Sequence, residues 1–326
     1  MGDNKSTEKK EYTLRIPVVV WRGRSFNLVN FGIFASIGSM VGYSISFFYL
    51  QTRGIPVEHF CWEMALVLNL FNLLFAKLFA AFSIGISEYF KNFKRYFNET
   101  TFYHQGGMIG LILGGIVLFI FLKIPVTVIG DAMCLGGIAT MSIGRIGCHH
   151  YGCCTGRPTQ GRFAIIYKDP DAKICNVYPG LQNTPLIPVQ LISSALDFLI
   201  FAGCCLVTIH HPVSGLIMVI FMVGVNLKRI LIQNFRLKST SNKLPYKWIA
   251  FSILISTLLI MSLFYNRGES FFQKETPVLP FTWANYFRFL VSDIHIFTSL
   301  IFVAVINFIA YGIHGRKIGT HTNLVV

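Results

Sequence analysis

Several runs in this chain stay apolar for about 20 residues, the length at which a helix crosses the hydrocarbon core of a bilayer. In lipid every backbone N–H and C=O must be satisfied inside the segment, so runs of this kind are helices. Composition agrees. The chain is 53% hydrophobic and 13% charged, with a mean hydropathy of +0.58, whereas a soluble domain usually carries about 25% charged residues. The expected fold class is an all-α polytopic membrane protein of one helical domain, with about seven to eight transmembrane helices. The runs extend from about Leu28 to Leu50, Phe60 to Ile86, Tyr103 to Leu122, Val126 to Cys148, Pro188 to Ile209, Val213 to Gln233, Trp248 to Tyr265 and Leu290 to Ile313. A small extramembrane head, about 149–187, lies between the fourth and fifth. Before the first span, residues 1–27 read as a basic, polar, solvated tail without an evident cleavable signal peptide. Residues 28–265 form the membrane domain, and 266–326 add a polar loop and a further C-terminal helix.

The net charge of +14 fits the Lys and Arg that flank membrane spans, or attraction to anionic lipid head groups. It does not point to nucleic acid, because the cations are dispersed among apolar runs. Charges inside spans default to pairing or function. Glu63 lies near the end of its run and Lys77 lies deeper. Asp131 and Arg145 share one span but sit about 21 Å apart along it at about 1.5 Å per residue, so they serve opposite ends.

The densest run of Gly, Cys, His and Arg is Gly144-Arg145-Ile146-Gly147-Cys148-His149-His150-Tyr151-Gly152-Cys153-Cys154-Thr155-Gly156-Arg157-Pro158. It leaves the fourth span and opens the head. Within the head, Arg162 to Tyr167 suits a short strand and Lys168-Asp169-Pro170-Asp171 a turn. Cys61, Cys134, Cys204 and Cys205 fall in apolar runs, where cysteine acts as a small hydrophobe. For Cys148, Cys153, Cys154 and Cys175 a structural role, a disulfide or a metal site all remain open; the Cys-x4-Cys-Cys spacing matches no familiar zinc pattern.

Alternating spans put the loops after the second, fourth and sixth on one membrane face. His104 and Gln105 enter the third span from that face, and Arg145 ends the fourth there. Arg229, Gln233 and Arg236, at i, i+4 and i+7, form a polar stripe ending the sixth. Polar motifs spread over more than a hundred residues thus converge on one end of the bundle. The expectation is one site with several cations, open to one leaflet.

An ordered set of motifs carries a resemblance. Gln105-Gly106-Gly107-Met108-Ile109-Gly110 opens one span, and Gly144-Arg145-Ile146-Gly147 ends the next, followed by Gly156-Arg157. Pro188-Val189-Gln190-Leu191 follows, then Arg229-Ile230-Leu231-Ile232-Gln233-Asn234-Phe235-Arg236. In order and spacing this resembles the prolipoprotein diacylglyceryl transferase family across about Phe31 to Arg236, in a Gly-Cys-Cys variant of the central motif. The departures are specific. Gln105 stands where the family has its histidine, with His104 one residue before. Cys148 and Tyr151 replace two asparagines, and Cys153 and Gln233 replace two glutamates.

The resemblance implies transfer of a diacylglyceryl group from phosphatidylglycerol to the thiol of a lipobox cysteine in a prolipoprotein, forming a thioether. It implies a multi-pass protein of the bacterial plasma membrane, with phosphatidylglycerol, prolipoprotein signal peptides and membrane lipids as partners. The catalytic expectation is His104 as base, with Arg145 and Arg229 clamping the phosphate. Gln105, Gly106, Gly107, Arg157, Gln190, Gln233 and Arg236 are the expected substrate-binding residues. No cofactor and no metal are expected. The alternative is a non-catalytic anionic-lipid-binding or transport protein on the same fold, to which the lost Asn and Glu positions lean. The head face also carries Lys91, Lys94, Arg95, Lys168, Lys173 and Lys238, which the positive-inside rule alone would place in the cytoplasm. The resemblance implies a head outside the cytoplasm, with those cations available to lipid phosphate.

Overall fold

Two central helices, α1 (Phe31–Thr52) and α5 (Val126–Tyr151), cross along faces rich in Gly, Ser and Thr. Small residues let the backbones approach until side chains on one helix reach carbonyls of the other. Thr140 donates to the Gly38 carbonyl (3.1 Å) and Ser46 to that of Ala132 (2.8 Å). The computed structural model describes residues 12–13, 17–24, 26–93, 104–210, 213–237 and 277–315. The expected seventh span, Trp248 to Tyr265, lies outside them, as do Lys94, Arg95, Lys238 and most of the N-terminal tail.

Around the central pair stand α2 (Cys61–Ile84), α4 (His104–Leu122), α7 (Val189–His210), α8 (Leu216–Gln233) and α10 (Ile294–Gly312). Short helices α3 (Ile86–Lys91), α6 (Lys173–Val177) and α9 (Trp283–Leu290) complete the set among the described residues. The packing runs α4, α2, α10, α1, α5, α7, α8, with α8 also touching α5. Six of these helices are long and apolar enough to cross a membrane, and α4 adds the shorter apolar stretch Gly106–Leu122. On α2, the exposed side chains Leu66, Leu70, Leu74 and Leu78 recur every four residues. That is an apolar stripe turned outward to lipid rather than inward to a core. The chain is a multi-pass helical membrane protein.

The last span differs from its expected bounds. The run from Leu290 to Ile313 is broken at Val291 to Asp293, where α9 ends and α10 begins. Asp293 caps α10 by accepting from the His295 N–H (2.6 Å), satisfying a donor that a helix start leaves without an intrahelical partner. Toward the same membrane face, the buried Asp131 accepts from the backbone N–H groups of Gly215 (2.7 Å) and Met218 (2.8 Å) and from the Tyr49 hydroxyl (3.2 Å). It holds the start of α8, while Arg145 lies six residues from the other end of α5. The two charges serve opposite ends of the span.

At the Arg145 end lies the head, with two small three-stranded sheets. Strand β4 (Ile165–Ile166) lies between β1 (Tyr12–Thr13), parallel to it, and β5 (Pro185–Leu186), antiparallel. The second sheet orders β2 (Val19–Arg22), β3 (Phe26–Val29) and β6 (Ile313–Gly315), all antiparallel. Residues 17–24 and 26–29 are therefore part of the head rather than a solvated segment. The Val18 N–H donates to Asp169 (3.0 Å), Arg22 pairs with Asp171, and Val29 is fully buried.

Strand β6 fastens the C-terminal helix to the head through His314. Its ring lies against the Tyr151 hydroxyl (3.3 Å) and the Tyr311 carbonyl (3.3 Å), with Lys173 and Lys77 as its charged neighbours. Burial pushes its pKa down to about 4, and the two lysines add to this against the carbonyl. Below 6.5, the ordinary imidazole value, the unfolded chain takes up a proton that the folded one refuses. Stability from this contact is thus complete above that pH and lost as pH falls toward 4, at about 1.4 kcal/mol per pH unit. Thermal unfolding in detergent is expected to show wild type losing more stability than His314→Gln between these limits. Parallel pH profiles would refute this assignment.

Candidate active site

Helix α5 carries the site to the head end of the bundle. Its last two turns hold Arg145, Cys148, His149, His150 and Tyr151, and it stops at Gly152, whose φ of 75° is left-handed. Glycine adopts that conformation without steric cost, and the cap closes as the N–H groups of Gly152 (3.0 Å) and Cys153 (3.1 Å) both meet the Cys148 carbonyl. The chain stays tightly turned at Cys154, a non-glycine residue with φ 55°. The reversal folds Cys153 and Cys154 back over Cys148, so that the three Sγ atoms lie within 4.8 Å of one another.

The strand-like segment that follows is clamped from two sides. Gly156 bridges Arg236 antiparallel. The Arg157 N–H donates to the Phe235 carbonyl (3.0 Å) and the Leu237 N–H to that of Thr155 (3.1 Å). On the other side, a Cβ at Gly156 would fall 2.4 Å from the Ile187 carbonyl oxygen, so only glycine fits there. Gln190, at the start of α7, fixes the loop from below. Its Nε2 donates to the Cys153 carbonyl (2.7 Å) and to the Tyr167 hydroxyl (3.3 Å), and Tyr167 in turn donates to the His149 carbonyl (2.9 Å). Burial raises the Tyr167 phenol, which keeps that donor protonated. The buried Gln190 Oε1 and Thr155 Oγ1 have no partner among the described residues, nor does the Gln233 Oε1.

Cations surround the thiols. Arg145 has Cys148, Cys154, Asp197 and Cys153 as its electrostatic neighbours. Hydrogen bonds from Cys148 and Cys153 hold the Cys154 thiol well below its usual value; Arg236 and Arg145 reinforce this against burial. Hydrogen bonds with Cys148 and Cys154 hold Cys153 well above. One turn before Arg145, Ser142 donates to the Ser194 carbonyl (3.2 Å) and Ser194 to that of Ser142 (2.7 Å), pinning α5 to α7. Asp197 of α7 pairs with Lys228 of α8; both are buried, and Arg145 and Arg229 lie close by.

The expected convergence is present for Arg145, Arg157, Gln190, Gln233, Arg229 and Arg236, all at the head end of the bundle. The expected helical stripe is not. Helix α8 ends at Gln233, and Asn234 and Phe235 turn the chain, so Arg236 reaches the thiols from a strand-like segment. Arg236 is buried and Arg157 is exposed. His104 and Gln105 open α4 at the same end, and the structure describes their backbone alone. Gly106 and Gly107 face α2, toward the Phe75 carbonyl and the Asn72 side chain, so their small size serves that helix crossing.

Asp197 and Lys228 were not anticipated as site residues. The available signal was a carboxylate alone in an apolar run, with a lysine beside an arginine in the next span; an intramembrane charge implies a partner. Sequence spacing gives no sign that α8 turns Lys228 inward and leaves Arg229 less buried.

No curated protein matches the chain. A family model described as prolipoprotein diacylglyceryl transferase matches residues 17–266. The match spans the whole constellation from α1 to the turn after α8 and stops before α9 and α10. The matched residues include the Gly-Gly, Gly-Arg, Pro-x-Gln-Leu and later arginine motifs, which the helical fold brings to one end of the bundle. With more than half of its length matched, this chain belongs to the prolipoprotein diacylglyceryl transferase family, enzymes that move a diacylglyceryl group from a lipid donor to a prolipoprotein.

Proposed function

We propose that the donor is phosphatidylglycerol and the acceptor the lipobox cysteine of a prolipoprotein signal peptide, joined as a thioether. The reaction takes place in a bacterial plasma membrane, with the head outside the cytoplasm. Residues 28–265 are the transferase unit in this reading, and the helix after 266 braces it. The observation that supports the reading is the meeting of Arg145 and Arg236 beside Cys154, on the loop at the head end of the bundle that also carries the exposed Arg157. Breaking the bond between glycerol carbon and phosphate oxygen leaves negative charge on the departing glycerol phosphate. Preorganised guanidinium groups stabilise that charge as it develops, and they bind phosphate in a planar, two-pronged way that ammonium cannot.

The steps balance without another reactant. The peptide thiol gives its proton to a base, here His104. The thiolate attacks the glycerol carbon, the C–S bond forms, and the C–O bond breaks with its electron pair leaving on the phosphate. Arg145 and Arg229 hold the phosphate; Arg157 guides the head group from the exposed side and Arg236 from the buried side. Gln105, Gln190 and Gln233 offer amides to the head group or the peptide, and Gly106 and Gly107 keep α4 close enough to α2 to present His104.

The test uses purified protein, phosphatidylglycerol labelled in either half, and a lipobox peptide. The expected product is a peptide heavier by one diacylglyceryl group and stable to hydroxylamine, with glycerol phosphate released in equal amount. A hydroxylamine-labile adduct would overturn the thioether, and use of other phospholipids in its place would overturn the donor. Lipid bound with the peptide unchanged would instead support the non-catalytic reading.

A further inference from the structure

Cys148 and Cys153 stand where the resembling family has an asparagine and a glutamate, Cys154 lies beside them, and the transfer chemistry gives the three thiols no task. We propose that Cys148, Cys153 and Cys154 bind one zinc ion as three thiolates, and that its fourth position takes the substrate thiol. This rests on the transferase reading for what enters that fourth position, while the three-thiolate site itself does not.

Geometry is the first argument. Three Sγ atoms converge within 4.8 Å, two from a reversed loop and one from the last turn of a helix. Zinc–sulfur bonds of about 2.3 Å at tetrahedral angles hold sulfurs about 3.8 Å apart. The Sγ atoms lie within 4.8 Å of one another, so a small closing movement brings them to that spacing. Among the described residues no His, Cys or carboxylate joins this cluster as a fourth ligand. Three protein ligands with an open position is the arrangement of catalytic zinc, whereas structural zinc is closed by four.

Charge is the second. Zinc with four thiolates, three from the protein and one from the substrate, carries a net charge of −2. A half-buried site cannot hold that without compensating cations. The guanidinium groups of Arg145 and Arg236 both act on Cys154, and together they bring the sum to zero. With only the three protein thiolates the same site is one unit positive, which favours arrival of an anionic ligand. The reaction itself is the third. It alkylates a thiol, and the nucleophile must be thiolate. A thiol that coordinates zinc is deprotonated outright. Its proton leaves to the base or to water, and its sulfur keeps a lone pair for the glycerol carbon. Formation of C–S and loss of C–O to phosphate then proceed as before, after which the thioether, a weaker ligand, dissociates. Zinc is redox-inert, so no electron acceptor is involved. The unpartnered Gln190 Oε1 and Thr155 Oγ1 beside the loop would accept backbone N–H groups of the bound peptide.

Full-length protein purified in detergent should contain about one zinc per chain by elemental analysis, falling at least tenfold in each of Cys148→Ser, Cys153→Ser and Cys154→Ser. Cys175→Ser, placed in the head but outside the cluster, should keep its metal and report on folding. Cobalt(II) loaded in place of zinc should show thiolate-to-cobalt charge transfer, and a lipobox peptide should change its visible bands while the Cys→Ser peptide does not. Chelation should slow transfer at least tenfold, with zinc restoring it. Protein that neither holds nor takes up zinc or cobalt, or that carries a disulfide among these cysteines, overturns the site. Bound cobalt indifferent to the peptide thiol overturns the fourth-ligand role. The metal and cobalt measurements contain no lipid, so a wrong donor leaves them unchanged, while a peptide effect without lipid transfer counts against the donor alone.

Discussion

Arg145→Ala is expected to lower diacylglyceryl transfer by about 10²- to 10³-fold, the loss that follows removal of one preorganised donor from a developing oxyanion. The guanidinium sits at the one place where the end of α5, the cysteine loop and the carboxylate of Asp197 meet. Ser142 and Ser194 fix the stretch of helix that carries it. Arg145→Lys keeps the charge but loses the two-pronged geometry, and the expected activity lies well below wild type. The effect should fall mainly on kcat, because phosphate gains charge as the bond breaks and the guanidinium is worth most there. Initial rates over a range of lipid concentrations in mixed micelles provide the measurement, with thermal unfolding as the control for folding. A variant with normal kcat and raised KM would make Arg145 a ground-state anchor. A variant with both unchanged would remove it from the site.

The sequence carried the parts of this architecture that depend on length, period and order. Apolar runs of membrane-spanning length marked the helices. Simple alternation of the spans places Arg145, Arg229, Arg236 and the head with its cysteines at one end. What it could not carry were contacts made by segments that leave their helices. The i, i+4, i+7 spacing of Arg229, Gln233 and Arg236 holds only while the helix continues, and α8 ends at Gln233. Arg236 therefore arrives beside Cys154 through a bridge to Gly156, a pairing between residues 80 positions apart. The strands of residues 19–29 and 313–315 are short, and each is ordered by the other rather than by its own periodicity. The cysteine cluster likewise depends on two left-handed residues on either side of Cys153, Gly152 and Cys154, of which only the glycine is suggested by residue type.

The buried pair of Asp197 and Lys228 should give the largest change in stability of any single site. Their side chains are 0% and 4% exposed, on neighbouring helices, with Arg145 as a second cation near the carboxylate. Removing one member strands the other charge away from water, and a buried pair broken in this way costs about 3–5 kcal/mol. Lys228→Met leaves Asp197 facing Arg145 alone, whereas Asp197→Leu leaves Lys228 beside Arg145 and Arg229 with no anion. The second should therefore be the worse, because it leaves like charges together as well as an unpaired one. The double variant Asp197→Leu/Lys228→Met replaces both with apolar groups of similar length and should recover most of the loss, since desolvation of the two charges is no longer required. Unfolding in detergent across the four proteins measures the coupling, and additive losses would show that the pair does not interact. Activity separates the two roles of the carboxylate. If Asp197 also orients Arg145, the double variant folds like wild type yet transfers more slowly. Wild-type rates in a stably folded double variant would confine the pair to holding α7 against α8.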